Sequence, residues 1–196
     1  MRRTLSLLAL GLTFWVLSGV ATAAPITFTT TLRGTNEVPP NASAGIGVAV
    51  VTIDPVSHML TVNVSFSGLT GLTTASHIHC CSAVGVNASV ATTTPTFPNF
   101  PLNVTAGTYF NIFDMTQAST FNPAFVTAQG GLAAAEAAFI AGMQAGQTYF
   151  NIHTTIFPGG EIRGQLQAVP EPATLILLGI GLAGGAGKAL RRRRGR

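Results

Sequence analysis

The sequence predicts an all-β domain, an antiparallel β-sandwich with one short helical insertion, flanked by two sorting segments. Threonine, valine, isoleucine and phenylalanine dominate the central part and are broken by frequent glycine and proline, a composition typical of strands and turns. Several stretches alternate apolar and polar side chains, as a strand does when it buries one face. We assign the domain to residues 24–168, which is long enough for one two-layer core.

The alternation places the first half of the strands. The predicted strands are Ile26–Arg33, Gly45–Ile53, Met59–Phe66 and a strand that begins at Ser76–His79. Asp54-Pro55 starts a turn between the second and third strands, so these two are predicted to pair as a hairpin. Residues 91–103 are rich in threonine and proline and are predicted to form a loop or irregular edge.

A five-residue motif occurs twice in the second half. Thr108–Ile112 repeats as Thr148–Ile152, and both copies are predicted to be strands with phenylalanine and isoleucine pointing inward. Between them the alanine-rich stretch Leu132–Met143 predicts the helix, because alanine is the best helix former. A Pro-Gly-Gly turn signal at 158–160 predicts a hairpin between strands at 148–155 and 161–167.

The basic charge lies outside the domain. Eight of the ten lysines and arginines are in the terminal segments, which leaves Arg33 and Arg163 against five acids between residues 25 and 168. The net charge there is 2 − 5 = −3 with histidine neutral. A nucleic-acid-binding domain needs basic residues on its folded surface, so nucleic acid is excluded as a partner.

The N-terminus has the features of a secretory signal peptide, assigned to residues 1–23. Arg2 and Arg3 precede an uncharged apolar run from Leu5 to Val20, and Ala21-Thr22-Ala23 is a small-x-small cleavage site. We predict cleavage after Ala23. The alternative is an uncleaved N-terminal anchor.

The C-terminal segment, residues 169–196, combines a short motif, an apolar run and a basic cluster. Pro170, Glu171 and Pro172 are followed by the apolar stretch Ala173–Leu190 and then by Arg191–Arg194. As a helix, that stretch is about 27 Å long, close to the thickness of a hydrocarbon core, so it predicts a transmembrane helix. The arginines favour the cytoplasmic side, which places the domain outside the cytoplasm.

This order of features resembles the PEP-CTERM sorting signal. The resemblance implies an exported protein of a Gram-negative bacterium that is anchored in the membrane, recognised by an exosortase near Pro170-Glu171-Pro172, and then deployed at the cell surface. Such bacteria generally make exopolysaccharide and biofilm, which makes exopolysaccharide a candidate partner. The alternative is a plain single-pass anchor.

Four motifs of the central domain resemble the CHRD (chordin) domain over nearly all of residues 26–167. They are Leu32–Pro40, His77-Ile78-His79, Asn151–Thr154 and Pro158–Leu166, in that order. The resemblance implies an extracellular β-sandwich of immunoglobulin-like character and brings no established biochemical activity. Cys80-Cys81 departs from the family, many of whose members continue with glycine after His-x-His.

Histidines at alternating positions define the candidate site. In a strand His77 and His79 project from one face, and so do Asn151 and His153, or Glu161 and Arg163. Zinc or copper would suit His77, His79 and His153, with Glu161 as a ligand or as a group that orients a ligand. The alternative is a structural hydrogen-bonded network of the same residues, in which Arg163 pairs with Glu161 or caps a loop.

Cys80 and Cys81 are the only cysteines. In an oxidising compartment they are expected to form a disulfide with each other, to link two chains, or to offer thiolate to a metal at His77 and His79.

No nucleophile motif and no phosphate-binding loop is present in the sequence, so we predict no catalytic residue and no organic cofactor. The leading interpretation is a non-catalytic module of the envelope or extracellular polymer. The competing hypotheses are a zinc- or copper-binding protein and, less favoured, a hydrolase or redox enzyme at the histidine cluster.

Overall fold

The computed structural model describes residues 23–170. Its strands are β1 (Ile26–Arg33), β2 (Ile46–Asp54), β3 (Met59–Ser67), β4 (Thr73–Cys80), β5 (Gly107–Asp114), β6 (Thr148–Thr154), β7 (Ile162–Gln165) and β8 (Gln167–Ala168). Two helices, α1 (Pro123–Gln129) and α2 (Leu132–Gln144), lie between β5 and β6. The predicted signal peptide before Ala23 lies outside the described residues. So do Glu171, Pro172, the predicted transmembrane helix and the arginine cluster.

Hydrogen bonding joins all the strands in one antiparallel sheet that curves into a half-barrel. The order is β4-β6-β7-β1-β2-β3-β5, and β8 pairs with β1. The all-β prediction is confirmed. An immunoglobulin-like sandwich, as predicted, has two separate sheets. Here β1 pairs with β7 on one side and with β2 on the other, and so joins the strands into one sheet.

Both predicted hairpins are present. β2 and β3 pair from Asp54↔Met59 to Ile46↔Ser67, and the side chain of Asp54 accepts hydrogen bonds from the amides of Val56 and Ser57 in the turn between them. β6 pairs with β7 across the Pro-Gly-Gly turn. Burial alternates along β2 and β3, so one face packs on the core and the other faces solvent.

The two copies of the repeated motif bury opposite faces. In β6, Phe150 and Ile152 are in the core as predicted, but in β5, Phe110 is 63% exposed and Ile112 is 54% exposed. The prediction was wrong for β5 because its register sets Tyr109 opposite Val64 and Phe113 opposite Leu60, on the core face of β3. A change of one residue in register exchanges the two faces of a strand.

The predicted helix is confirmed as α2, and α1 is an additional helix. Asn122 caps α1 by accepting a hydrogen bond from the amide of Ala124, and Pro123 occupies the first turn, where proline is tolerated. Gly130, with φ of 87°, ends it. Phe125 of α1 and Phe139 of α2 pack into the core around Phe121.

No helix within residues 23–170 is by itself long and apolar enough to cross a membrane. Taken together, α1 and α2 reach the required length and composition, but they are bent by 92° at their junction.

Cys80 and Cys81 form a disulfide with each other at the end of β4. Cys80 is buried and faces the core, on the opposite side of β4 from His79. The sulfurs rest on α2 at Gly142, where an added Cβ would lie 2.5 Å from Cys80 Sγ and 2.7 Å from Cys81 Sγ. The glycine therefore permits the close approach of α2 to the end of β4.

Replacing Gly142 by alanine is expected to destabilise the domain by about 1–3 kcal/mol, the usual cost of overpacking. The added methyl group meets a disulfide that has no flexible end to move aside. Urea unfolding measures the effect, and Gly159→Ala is the matched control because a Cβ there meets nothing within 4 Å. Equal stability of the two variants would contradict this packing.

Candidate metal centre

The pairing of β4 with β6 places the three candidate histidines on one face of the sheet. His77 lies opposite Asn151, His79 opposite Tyr149, and His153 opposite Ala75. Ile78, Phe150 and Ile152 project from the other face into the core. The predicted sharing of a face by these histidines is confirmed.

Each histidine donates one ring N–H to a backbone carbonyl. His77 Nε2 is 2.7 Å from the carbonyl oxygen of Pro95, His79 Nδ1 is 2.9 Å from that of Ala88, and His153 Nδ1 is 3.0 Å from that of Pro158. The carbonyls belong to the β4–β5 connection and the β6–β7 turn, which cover this face. A carbonyl only accepts, so these contacts assign the ring proton and leave a lone pair on the other nitrogen.

The remaining ring nitrogens have no partner. Nδ1 of His77, Nε2 of His79 and Nε2 of His153 are buried and make no hydrogen bond. One ligand atom from each histidine lies within 4.8 Å of one from each of the others. Tetrahedral zinc with bonds of about 2.0–2.1 Å needs nitrogens roughly 3.3 Å apart, so metal binding requires the three rings to draw together. Three neighbouring imidazoles that each keep an unprotonated nitrogen are suited to hold a cation.

Burial keeps these imidazoles neutral. It lowers the pKa of His77 and of His79 to about 4, although the hydrogen bonds to the carbonyls of Pro95 and Ala88 act in the opposite direction. The pKa of His153 is lowered as well, again by burial. Metal ligation requires the neutral form, so protons compete weakly for this site.

We expect stability to fall on acidification between about pH 6.5 and pH 4. In that window the unfolded chain protonates His77 and His79 while the folded protein leaves them neutral, so the unfolded state binds more protons. His58 acts in the opposite sense, because its hydrogen bond to Glu136 raises its pKa. The stabilisation that His58 gives to the folded state is complete at low pH and is lost as the pH rises.

Urea unfolding of the double variant His58→Ala/Glu37→Gln across this pH range follows the buried histidines, because Glu37, whose pKa burial raises to about 7, also acts in the opposite sense in this window. A stability independent of pH in that variant would contradict the assignment of His77 and His79 as neutral.

A layer of stacked side chains supports the cluster. The ring of Tyr149 lies on His79 with centroids 4.6 Å apart and an angle of 8°, and the guanidinium carbon of Arg163 is 4.1 Å from the Tyr149 ring centroid. Arg163 Nη1 donates to Asn87 Oδ1 at 2.7 Å. The predicted pairing of Arg163 with Glu161 is therefore replaced by contacts with Asn87 and Tyr149.

Glu161 lies outside the histidine group. Its Oε1 accepts from Ser43 Oγ and the Thr70 amide, and its Oε2 accepts from the Gly71 amide and Thr154 Oγ1. Four donors use the lone pairs of both oxygens. Burial raises the pKa of this carboxyl, but the four hydrogen bonds outweigh burial and hold it below its usual value.

Two further polar residues belong to these surroundings: Asn151, which was predicted to share a face with His153, and Glu37, which the sequence did not single out as a site residue. Glu37 Oε1 and Asn151 Oδ1 are buried without a hydrogen-bond partner. Burial raises the pKa of Glu37 to about 7 against the opposing effects of Arg163 and Asn151. The sequence signal for Glu37 was its rarity, since it is one of five acids between residues 25 and 168.

Fold and site together define an all-β domain with a buried three-histidine cluster. The CHRD domain profile matches residues 28–166, so the chain belongs to the CHRD domain family. The PEP-CTERM protein-sorting motif matches residues 168–194. No curated protein and no solved structure matches the chain.

The sorting motif implies an exported, membrane-anchored protein of a Gram-negative bacterium that is processed by an exosortase. The predicted export, sorting and family are thereby confirmed at this level.

Proposed function

We propose that this exported CHRD domain protein binds a transition metal, zinc or copper, through His77, His79 and His153. The observation that carries the proposal is the convergence of three buried imidazole nitrogens that have no other partner. A buried acceptor without a donor costs about 1–3 kcal/mol, so three of them together would be costly in a purely structural network.

The surroundings of the histidines suit a metal ligand set. Each ring is oriented by a hydrogen bond from its other nitrogen to a backbone carbonyl, the outer-shell arrangement common for ligating histidine. Imidazole suits zinc and copper rather than magnesium or calcium, which prefer oxygen ligands. Outside the cytoplasm the protein would acquire its metal from the envelope.

Metal titration of the exported, purified full chain in detergent tests the proposal. We expect one equivalent of tightly bound zinc or copper in the wild type and less than about a tenth of an equivalent in His77→Ala/His79→Ala, because each removes one of three ligands. His58→Ala is the matched control, since His58 is exposed and bonds to Glu136. Wild-type protein that stays below a tenth of an equivalent would refute the site.

A second function, contact with extracellular polysaccharide as a non-catalytic matrix module, is supported by the solvent face of the sheet. Between Arg33 at one end and Asp54 and Asp114 at the other, this face carries no charged side chain. Its outward residues include Thr29, Thr31, Val48, Val50, Asn63, Ser65, Phe110 and Ile112. Hydroxyl groups beside an exposed aromatic ring suit a neutral sugar chain.

Retardation of the protein in gels containing exopolysaccharide from the producing strain tests this second function. Phe110→Ser is expected to abolish the retardation, whereas Val84→Ser, at an exposed position in another part of the fold, is the control. Equal retardation of both variants would refute the assignment of this face.

We also propose the proteolytic steps by which the protein is sorted. Exosortase cleavage near Pro170-Glu171-Pro172 would release the domain to the cell surface and the biofilm, after signal cleavage behind Ala23. Mass spectrometry of the mature protein from its host should find a new C-terminus close to residue 170. Recovery of Arg191–Arg196 in the mature protein would show a retained anchor instead.

A further inference from the structure

Two more unpartnered oxygens lie beside the histidine cluster. An ideal Cβ on Gly160 would be 2.6 Å from Asn151 Nδ2, 2.7 Å from Glu37 Oε1 and 2.8 Å from Asn151 Oδ1, so the two side chains lie on either side of the same point. Asn151 is directly opposite His77 in the β4–β6 ladder and shares its face with His153 two residues on. Asn151 therefore links this point to the face of β4 and β6 that carries the three histidines.

A cavity reaches this point from the surface. It has a volume of about 340 Å³ and is lined by Glu37, Val38, Pro39, Pro40, Asn41, Asn87 and residues 156–160. Its wall includes Pro158, whose carbonyl accepts the hydrogen bond from His153. The same turn thus contacts the cavity and one of the metal-ligating rings.

Glu161 leaves the fourth metal position free. Its carboxylate is held by four donors on other segments, so three histidines are the protein ligands near the cluster among residues 23–170. Three protein ligands with one open position are the arrangement of catalytic rather than structural zinc sites. Water on such a metal is a strong hydrogen-bond donor, and Glu37 Oε1 is an acceptor without a donor.

We infer that the open position holds an exchangeable water that donates to Glu37 Oε1, and that the cavity beside Glu37 admits a small ligand in its place. The ligand class is a small anion or neutral base with one donor atom, because a single coordination position is open. Exchange breaks the metal–water bond and forms a metal–ligand bond, with no change in oxidation state. This inference rests on the proposed metal site.

Azide titration of the cobalt-loaded full chain in detergent, followed by visible absorption, tests the inference. We expect a saturable spectral change with one azide per metal. Gly159→Trp places bulk in the cavity wall, where a Cβ meets nothing within 4 Å. It should weaken azide binding by about tenfold or more, equivalent to about 1.4 kcal/mol. Val84→Trp, 70% exposed and outside this cavity, is the control.

Glu37→Gln gives an independent measurement. Glutamine keeps an oxygen that can accept from the bound water but removes the negative charge that opposes the anion, so azide should bind about tenfold tighter at unchanged cobalt content. An unchanged azide affinity would overturn the role of Glu37.

This experiment distinguishes a failure of the open coordination position from a failure of the metal site itself. One equivalent of bound cobalt with a spectrum insensitive to azide would overturn the open position and leave the metal site intact. Absence of bound metal would overturn the metal site itself. Azide affinity that is the same in Gly159→Trp and Val84→Trp would overturn the assignment of the cavity as the route.

Discussion

Replacing Glu161 by alanine is expected to lower the free energy of unfolding by about 3–5 kcal/mol, the range for leaving buried charged-group partners unpaired. The carboxylate accepts from Ser43, from Thr154 and from the amides of Thr70 and Gly71, and thereby ties three chain segments together. Its loss leaves these donors without an acceptor in a fully buried position. Typical domains have only about 5–15 kcal/mol in total, so this loss is a large fraction of the stability.

Urea unfolding of Glu161→Ala and of the isosteric Glu161→Gln measures the effect, with Glu136→Ala as the control at a carboxyl that bonds only to exposed His58. The hydrogen bonds hold the pKa of Glu161 below its usual value. Glu161 therefore stabilises the folded state fully above the usual pKa of a glutamate, and this stabilisation is lost as the pH falls. Folded Glu161→Gln should still bind one equivalent of metal. A Glu161→Ala variant within about 0.5 kcal/mol of the wild type would contradict this role.

Metal is expected to stabilise the domain strongly. At a free concentration of 100 times the dissociation constant, one bound ion adds about 2.7 kcal/mol. For a domain of this size that corresponds to a rise in Tm of roughly 5–10 °C. The physical reason is that the ion binds to three neutral imidazoles which are brought together only in the folded chain.

Calorimetric melting of the metal-free and zinc-loaded protein measures this shift. His153→Ala should abolish the shift, while His58→Ala should keep it, because His58 lies at an exposed turn and contacts α2. A shift of equal size in the two variants would place the bound ion elsewhere.

The sequence predicted most of the strands because their alternation is local. Ile26–Arg33 carries the pattern within itself, and the β2–β3 hairpin follows from a short turn at Asp54. The same parity argument placed His77, His79 and His153 on one face, where the structure has them. Periodicity within a strand is sufficient for such predictions.

The remaining features depend on long-range pairing that alternation does not encode. Glu161 precedes β7 by one residue, so its side chain does not follow the parity of the strand and reaches Thr154 instead of the histidines. The face of β5 is set by its register against β3, which exchanged the expected positions of Tyr109 and Phe110. Glu37 is buried by turns distant in the chain, around Gly160.

Anomalous diffraction at the zinc absorption edge, from crystals of the zinc-loaded protein, tests the metal centre most directly. The predicted result is one strong peak at about 2.0–2.1 Å from Nδ1 of His77, Nε2 of His79 and Nε2 of His153. Crystals without a peak there, in which ordered waters bond these three nitrogens at full zinc saturation, would contradict the account.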